Sequence, residues 1–231
     1  GGMGIIMLGM MVLSRIIGGG MALARAELTG PSLSRLRPKL RETAFALWKL
    51  YILLTIVEFF CLKYIGQMTF FDSLNHSLTT MASGGFSTHD ASIGYYESAK
   101  VEIIISIFMF LAGVNFTLIW LVFLKEYRKA FADEEFKSYL VYMFAAVSII
   151  FVALMFSGIS AGDSIRQSIF QALSIGTSTG YSSVNYMEWP VITHFVLLIL
   201  MIVGACAGST SGGLKLMRII LAFKIAIREL V

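Results

Sequence analysis

Five apolar runs, at residues 3–17, 44–65, 101–124, 139–156 and 191–206, set the plan of the chain. A helix needs about 20 residues, within roughly 17–25, to cross the hydrocarbon core of a bilayer. The second, third and fourth runs reach that length and predict spanning helices. The first is short and opens with the chain. The fifth stops at "GACAGSTSGG" (204–213), after which "LKLMRIILAFKIAIREL" (214–230) resumes, with Lys215, Arg218, Lys224 and Arg228 at helical spacing. Between runs two and three, and again between runs four and five, lies a 12-residue stretch: "FFDSLNHSLTTM" (70–81) and "SIRQSIFQALSI" (164–175). Each is too short to span. Taken singly, each reads equally as a re-entrant half-helix or as a helix lying on the outer surface.

A repeat favours the first reading. Setting Gly85 over Gly180, an offset of 95 residues, also pairs Ser73 with Ser168, Leu78 with Leu173, Ser83 with Ser178, Phe86 with Tyr181 and Ser87 with Ser182. Run two meets run four at the same offset. The chain therefore holds two copies of one unit: spanning helix, half-helix, Gly-containing loop, spanning helix. Internal repeats are a common plan in transport proteins.

Composition agrees. The 231 residues are 57% hydrophobic and 14% charged, against about 25% charged in a soluble domain. The net charge of +4 is a topology signal, since 15 of the 18 Lys and Arg residues fall in residues 15–49, 125–137 and 215–228. The excess of basic residues on inward-facing loops puts these segments in the cytoplasm, and no nucleic-acid partner is implied. Cys61 and Cys206 lie in apolar segments and read as reduced packing residues. The opening "GGMGIIMLGM" has no signal-peptide layout, and the chain is expected to be an internal piece of a longer protein.

The polar loops carry the candidate chemistry. Irregular backbone at membrane depth is tolerated only where it is buried in protein or lines a water-filled path. Backbone carbonyls in such a loop can replace the hydration shell of a cation, and a half-helix directs its negative dipole end at the same place. "TSTGY" (177–181) and "ASGGF" (82–86) have suitable residues.

At this point the chain resembles the potassium-translocating subunits of the Trk/Ktr/HKT superfamily, most of all the bacterial TrkH branch. The resemblance is carried by "GGFSTHDASIGYYES" (84–98), "GTSTGYSSVNYMEWP" (176–190) and "GACAGSTSGGLKLMR" (204–218), with "GGMGIIML" (1–8) and "RAELTGP" (25–31). It implies an all-α integral membrane fold of repeated helix, re-entrant half-helix, filter loop and helix units, as in potassium channels. Four such units surround one pore in that family.

On this resemblance residues 1–24 end a preceding unit's inner helix and residues 25–43 form a cytoplasmic loop. Residues 44–124 are the first complete pore unit, 125–138 a second cytoplasmic loop, and 139–231 a second pore unit interrupted at 204–213. Potassium, the transported ion, would bind at Ser83, Gly84, Gly85, Ser178, Thr179 and Gly180. Gly208, Ser209, Thr210, Ser211, Gly212, Gly213 and Lys215 would form an intramembrane gate. The expected setting is the bacterial cytoplasmic (inner) membrane, with no bound cofactor and no enzymatic activity. Expected partners are the lipid, the remaining pore units, a second pore subunit in a homodimer, and a cytosolic nucleotide-binding ring of the TrkA/KtrA kind. The alternative is a non-conducting structural fragment of such a transporter.

Other features are weaker. "GSTSGGLK" (208–215) lacks the Lys-Ser/Thr pair of a phosphate-binding loop, while Gly208-x-x-x-Gly212 also suits close helix packing. His76, His89 and His194 have no ligand spacing and read as hydrogen-bonding residues. Asn115, central in run three, reads as a partner to another helix or to a pore cavity. Glu58, inside run two, is a functional candidate by position, with pairing to Lys63 as the competing reading. Trp189 fits an interfacial belt.

Overall fold

The computed structural model describes residues 40–230. The expected end of a preceding unit (1–24) and most of the expected loop at 25–43 lie outside them. Regular structure among the described residues is entirely helical. In chain order it comprises α1 (Leu40–Phe60, continued by a π-helical turn, Cys61–Ile65), α2 (Phe70–Met81), α3 (Ala99–Gly113), α4 (Phe116–Phe123), α5 (Tyr127–Ala132), α6 (Glu134–Phe156), α7 (Ala161–Gly176), α8 (Val191–Val203) and α9 (Leu216–Leu230).

Two segments, Phe45–Ile65 and Glu134–Phe156, are long and apolar enough to cross a bilayer. Both expose large apolar side chains on their outer faces, among them Leu53, Ile56 and Phe60 on α1, and Val141, Phe144 and Phe156 on α6. In water such faces would drive aggregation, whereas in lipid they are matched. The helix α6 starts where Asp133 accepts a hydrogen bond from the Phe136 N–H at 2.9 Å, a side-chain cap on an otherwise orphaned donor.

The two short helices sit against these spans. Each opens with a reciprocal hydroxyl–carboxylate cap. Thr69 accepts from the Asp72 N–H at 3.1 Å and donates to its carboxylate at 2.7 Å, and Ser160 does the same with Asp163 at 3.2 and 2.8 Å. The acid in each first turn also suits the positive end of the helix dipole. The α2 helix packs on α1 and α3, and α7 packs on α6 and α8 and reaches across to α3. Their polar positions are turned inward: Ser73, His76, Ser77 and Thr80 on α2, and Ser164, Ser168, Gln171 and Ser174 on α7, are all fully buried. Much of this polarity is absorbed locally, as when the Ser73 hydroxyl donates to the Thr69 carbonyl at 2.8 Å. A surface helix would turn this face to water, so the amphipathic pattern marks inward-facing half-helices. Trp189, expected at an interface, is instead buried beside Tyr186.

The third run departs from expectation. It is not one spanning helix: α3 and α4 are separated at Val114–Asn115 and bent by 103°. Asn115 caps α4, accepting from the Thr117 N–H at 2.9 Å. The freed backbone groups pair with the interruption after α8. The Cys206 N–H donates to the Gly113 carbonyl, the Phe116 N–H to the Gly208 carbonyl, and the Thr210 N–H to the Ala112 carbonyl, each at 3.1 Å. Two breaks in two different units thus satisfy one another, as irregular backbone away from water requires.

Gly208 fits this joint because its φ is +71° and a Cβ there would lie 2.9 Å from the Asn115 Oδ1. Gly208→Ala is therefore expected to cost at least the roughly 1–2 kcal/mol of a left-handed Cβ, and Asn115→Ala about 1 kcal/mol of capping. Thermal unfolding of the purified protein should show the double variant less destabilised than the sum of the two, because Asn115→Ala removes the atom that Gly208→Ala strikes.

Candidate functional site

The residues following α2 and α7 form two loops with one backbone design. In the first, Ser83 and Gly85 have φ of +51° and +64°; in the second, Ser178 and Gly180 have +59° and +90°. Gly84 and Thr179 between them do not have positive φ. Hydrogen bonds repeat at the same offset. The N–H groups of Gly84 and Gly85 converge on the Thr79 carbonyl at 2.8 and 3.4 Å, and those of Thr179 and Gly180 converge on the Ser174 carbonyl at 2.9 and 3.1 Å. The Thr79 hydroxyl donates to the Phe86 carbonyl at 2.9 Å, and the Ser174 hydroxyl to the Tyr181 carbonyl at 2.6 Å.

This pattern fixes where the carbonyls point. In a trans peptide the C=O of one residue lies opposite the N–H of the next, and the described residues contain no cis bond. With the N–H groups of Gly84, Gly85, Thr179 and Gly180 turned back onto the half-helix ends, the carbonyls of Ser83, Gly84, Ser178 and Thr179 are turned away from them. Two short rows of unspent acceptors result, a donor set suited to a cation. The loops also approach each other closely: a Cβ built on Gly85 would overlap the Thr179 carbonyl oxygen. A Cβ on Gly180 would meet nothing within 4 Å. Gly180 is required by its φ alone, Gly85 by both φ and space.

The interruption after α8 lies against both loops. The hydroxyls of Ser83 and Thr210 are 2.8 Å apart, and Thr210 also donates to the Ala112 carbonyl at 3.1 Å. A Cβ on Gly212 would touch the Ser178 hydroxyl at 3.4 Å. Ser209, Thr210 and Ser211 are buried, and Gly212 and Gly213 are exposed. Ser209 donates to the Cys206 carbonyl at 2.5 Å and lies 2.9 Å from the Ser211 hydroxyl. The Lys215 ammonium donates to the Ser211 carbonyl. At the far end of the segment the buried Glu135 accepts from the Ala207 N–H at 2.6 Å. The two loops and the interruption are thus joined through Gly85 and Thr179, Ser83 and Thr210, and Gly212 and Ser178.

The supporting residues Thr79, Ser174, Tyr181, Asn115 and Glu135 were not singled out as site residues from sequence. Thr79 and Ser174 carried a signal, because they are paired by the 95-residue repeat. Glu135 carried none, since its partner is a backbone N–H 72 positions away. His76 and His89 bind locally: the His76 ring nitrogens lie 2.8 Å from the Asp72 carbonyl and 3.0 Å from the Ser87 hydroxyl, and His89 stacks on Tyr95.

Comparison with known proteins follows the same lines. A family model described as TrkH, cation transport protein, matches residues 1–230. The Trk system potassium uptake protein TrkH of Escherichia coli (strain K12) is 42% identical over an alignment of 234 residues that covers 100% of this chain and 48% of that protein. The Trk system potassium uptake protein TrkG of the same strain is 34% identical over 227 residues, 97% of this chain and 47% of that one. The crystal structure of the potassium transporter TrkH from Vibrio parahaemolyticus matches with a TM-score of 0.82 at 35% identity, over 99% of this chain and 47% of that one. The chain spans about half the length of the relatives it matches.

The two glycines should respond differently to a methyl group. Gly180→Ala is expected to cost about 1–2 kcal/mol through φ alone. Gly85→Ala must also displace the second loop, and should lower the midpoint of thermal unfolding clearly further. Gly162, in open space and at a helix N-terminus, serves as the neutral control. Equal shifts for Gly85→Ala and Gly180→Ala would contradict the close approach of the loops.

Proposed function

Since the chain belongs to the TrkH family of cation transport proteins, we propose that it supplies two of the pore-lining units of a potassium uptake system in the bacterial inner membrane. The observation that carries this reading is the matched pair of loops, whose carbonyls face away from two half-helix ends while Gly85 lies against Thr179. Carbonyls held in this way substitute for water around a dehydrated potassium ion. Ser83, Gly84 and Gly85 form one part of the filter, and Ser178, Thr179 and Gly180 another. The remaining parts come from further units of the whole protein. A cation transport family is not an enzyme family, and no catalytic residues are assigned.

The interruption at 204–213 acts in this reading as the gate beneath the filter. Its hydroxyls touch both the filter loop and the α3–α4 break, so a shift at the cytoplasmic end of α8 or α9 reaches the ion path through few contacts. Lys215, holding the Ser211 carbonyl, keeps a positive charge beside that path and opposes cation passage when the gate is closed. The basic segments at 125–137 and 215–228 offer a cytoplasmic surface for a nucleotide-binding regulatory ring, and a second pore subunit completes a homodimer.

Two measurements test this reading, both in the full-length protein. Paired potassium and sodium uptake in cells lacking other uptake systems should show Gly180→Ser losing about tenfold in potassium preference, equivalent to about 1.4 kcal/mol in relative ion binding, with Gly162→Ser unchanged. Retained preference in Gly180→Ser would remove the loops from the role of filter. In liposomes, Thr210→Val should raise basal potassium flux severalfold by releasing the Ser83 hydroxyl, while the backbone N–H at 210 keeps its bond to the Ala112 carbonyl. A folded Thr210→Val protein with unaltered basal and regulated flux would exclude the gate.

A further inference from the structure

Glu58 lies on α1, within the membrane-spanning segment, with no exposure to solvent. Among the described residues neither of its carboxylate oxygens has a hydrogen-bond partner. Lys63, the partner suggested by sequence, makes no hydrogen bond to it, and its ammonium donates to the Met68 carbonyl at 3.3 Å. Its helix packs on α2, where the fully buried Thr80 interacts with the Glu58 carboxyl, and Tyr51, Cys61 and Tyr181 lie within its electrostatic reach.

Counting protons defines what this pocket needs. A hydroxyl offers one proton and two lone pairs. Thr80 directs its proton at the His76 carbonyl at 2.7 Å, and the Tyr181 hydroxyl lies 2.6 Å from Thr79 and 3.2 Å from both Thr80 and the His76 carbonyl. With its proton directed at His76, Thr80 can offer Glu58 only a lone pair. An ionised carboxylate only accepts, so at full burial it would set acceptor against acceptor. A neutral carboxylic acid has the one donor that is missing.

The repeat shows that this is a local device. At the 95-residue offset Glu58 corresponds to Ala153 and Thr80 to Ile175, so the other unit fills the same place with apolar side chains. Only behind the first half-helix are both polar, and only there does an aromatic hydroxyl from the opposite loop enter.

We propose that Glu58 is held as the neutral acid and acts as a positioning residue, donating to the Thr80–Tyr181 hydroxyl cluster and bracing the second filter loop from behind. The inference rests on the filter reading above. Tyr181 follows Gly180 directly, so the side chain that Glu58 braces anchors the backbone whose carbonyls would meet the ion.

The test is made in the full-length protein. Glu58→Leu, Thr80→Val and Tyr181→Phe are each expected to lower potassium preference over sodium by about tenfold, while Glu58→Gln, which keeps a buried neutral donor, rescues it to near the unmodified value. Infrared difference spectra of purified protein at neutral pH should show the carbonyl stretch of a protonated carboxylic acid that Glu58→Gln removes. If Glu58→Leu fails to reach the membrane, Thr80→Val and Tyr181→Phe decide the matter, since each removes little more than a hydroxyl. Unchanged preference in those two variants, loss of preference in Glu58→Gln equal to that in Glu58→Leu, or absence of the infrared band would each overturn the proposal. Gly180→Ser separates the two readings: if it alters preference while the Glu58 cluster does not, the filter stands and the brace falls.

Discussion

The structure depends on one constraint: backbone that leaves the helix inside an apolar bundle must find hydrogen-bond partners within the protein. Three segments do so here, the loops after α2 and α7 and the interruption after α8. The loops fold their N–H groups back onto the half-helix ends. The interruption gives its N–H groups to the carbonyls left open by the α3–α4 break, and receives the Phe116 N–H in return. Neither break could stand alone at that depth, so two units that are distant in sequence are joined by their defects.

The same constraint produces the site. A loop that spends its N–H groups inward leaves its carbonyls outward, and left-handed backbone at alternate positions keeps this up over successive residues. The half-helices contribute twice, through the carbonyls that receive the loop and through the dipole end they present to it. On the proposed reading, selectivity depends on small energy differences, so the groups behind the loops matter as much as those in front. Tyr181 reaches from one unit into the hydroxyls of the other, and this links the rear of one loop to the half-helix of its neighbour.

The units are copies in backbone but not in surroundings. Tyr181 is fully buried and bonds to the hydroxyls of α2, whereas its counterpart in the repeat, Phe86, has no hydroxyl to do so. Behind α2 lies a buried carboxyl, and behind α7 its place is taken by alanine. A repeat fixes a shared conformation, and each copy then acquires packing of its own. This lets one loop be held more stiffly than the other without altering the carbonyl pattern they share.

The sequence by itself determined the helical membrane character, the two spans on α1 and α6, the repeat, and the loop glycines. These features rest on local composition, periodicity and a fixed offset, which one strand of text contains in full. It also pointed to residues 204–213, because an interruption in an apolar run is visible without coordinates. The tertiary structure alone decided that run three breaks at Asn115. Residues 101–124 are predominantly apolar and have no proline, and Gly113 and Asn115 alone do not mark a bend of 103°. Its stabilising partners lie some 90 positions further along, in the interruption of the other unit. The same holds for Glu135 at Ala207 and for Glu58 behind Tyr181: in each case the meaning of a polar residue is set by the group that faces it, and pairing across folded units is information that spacing along the chain does not carry.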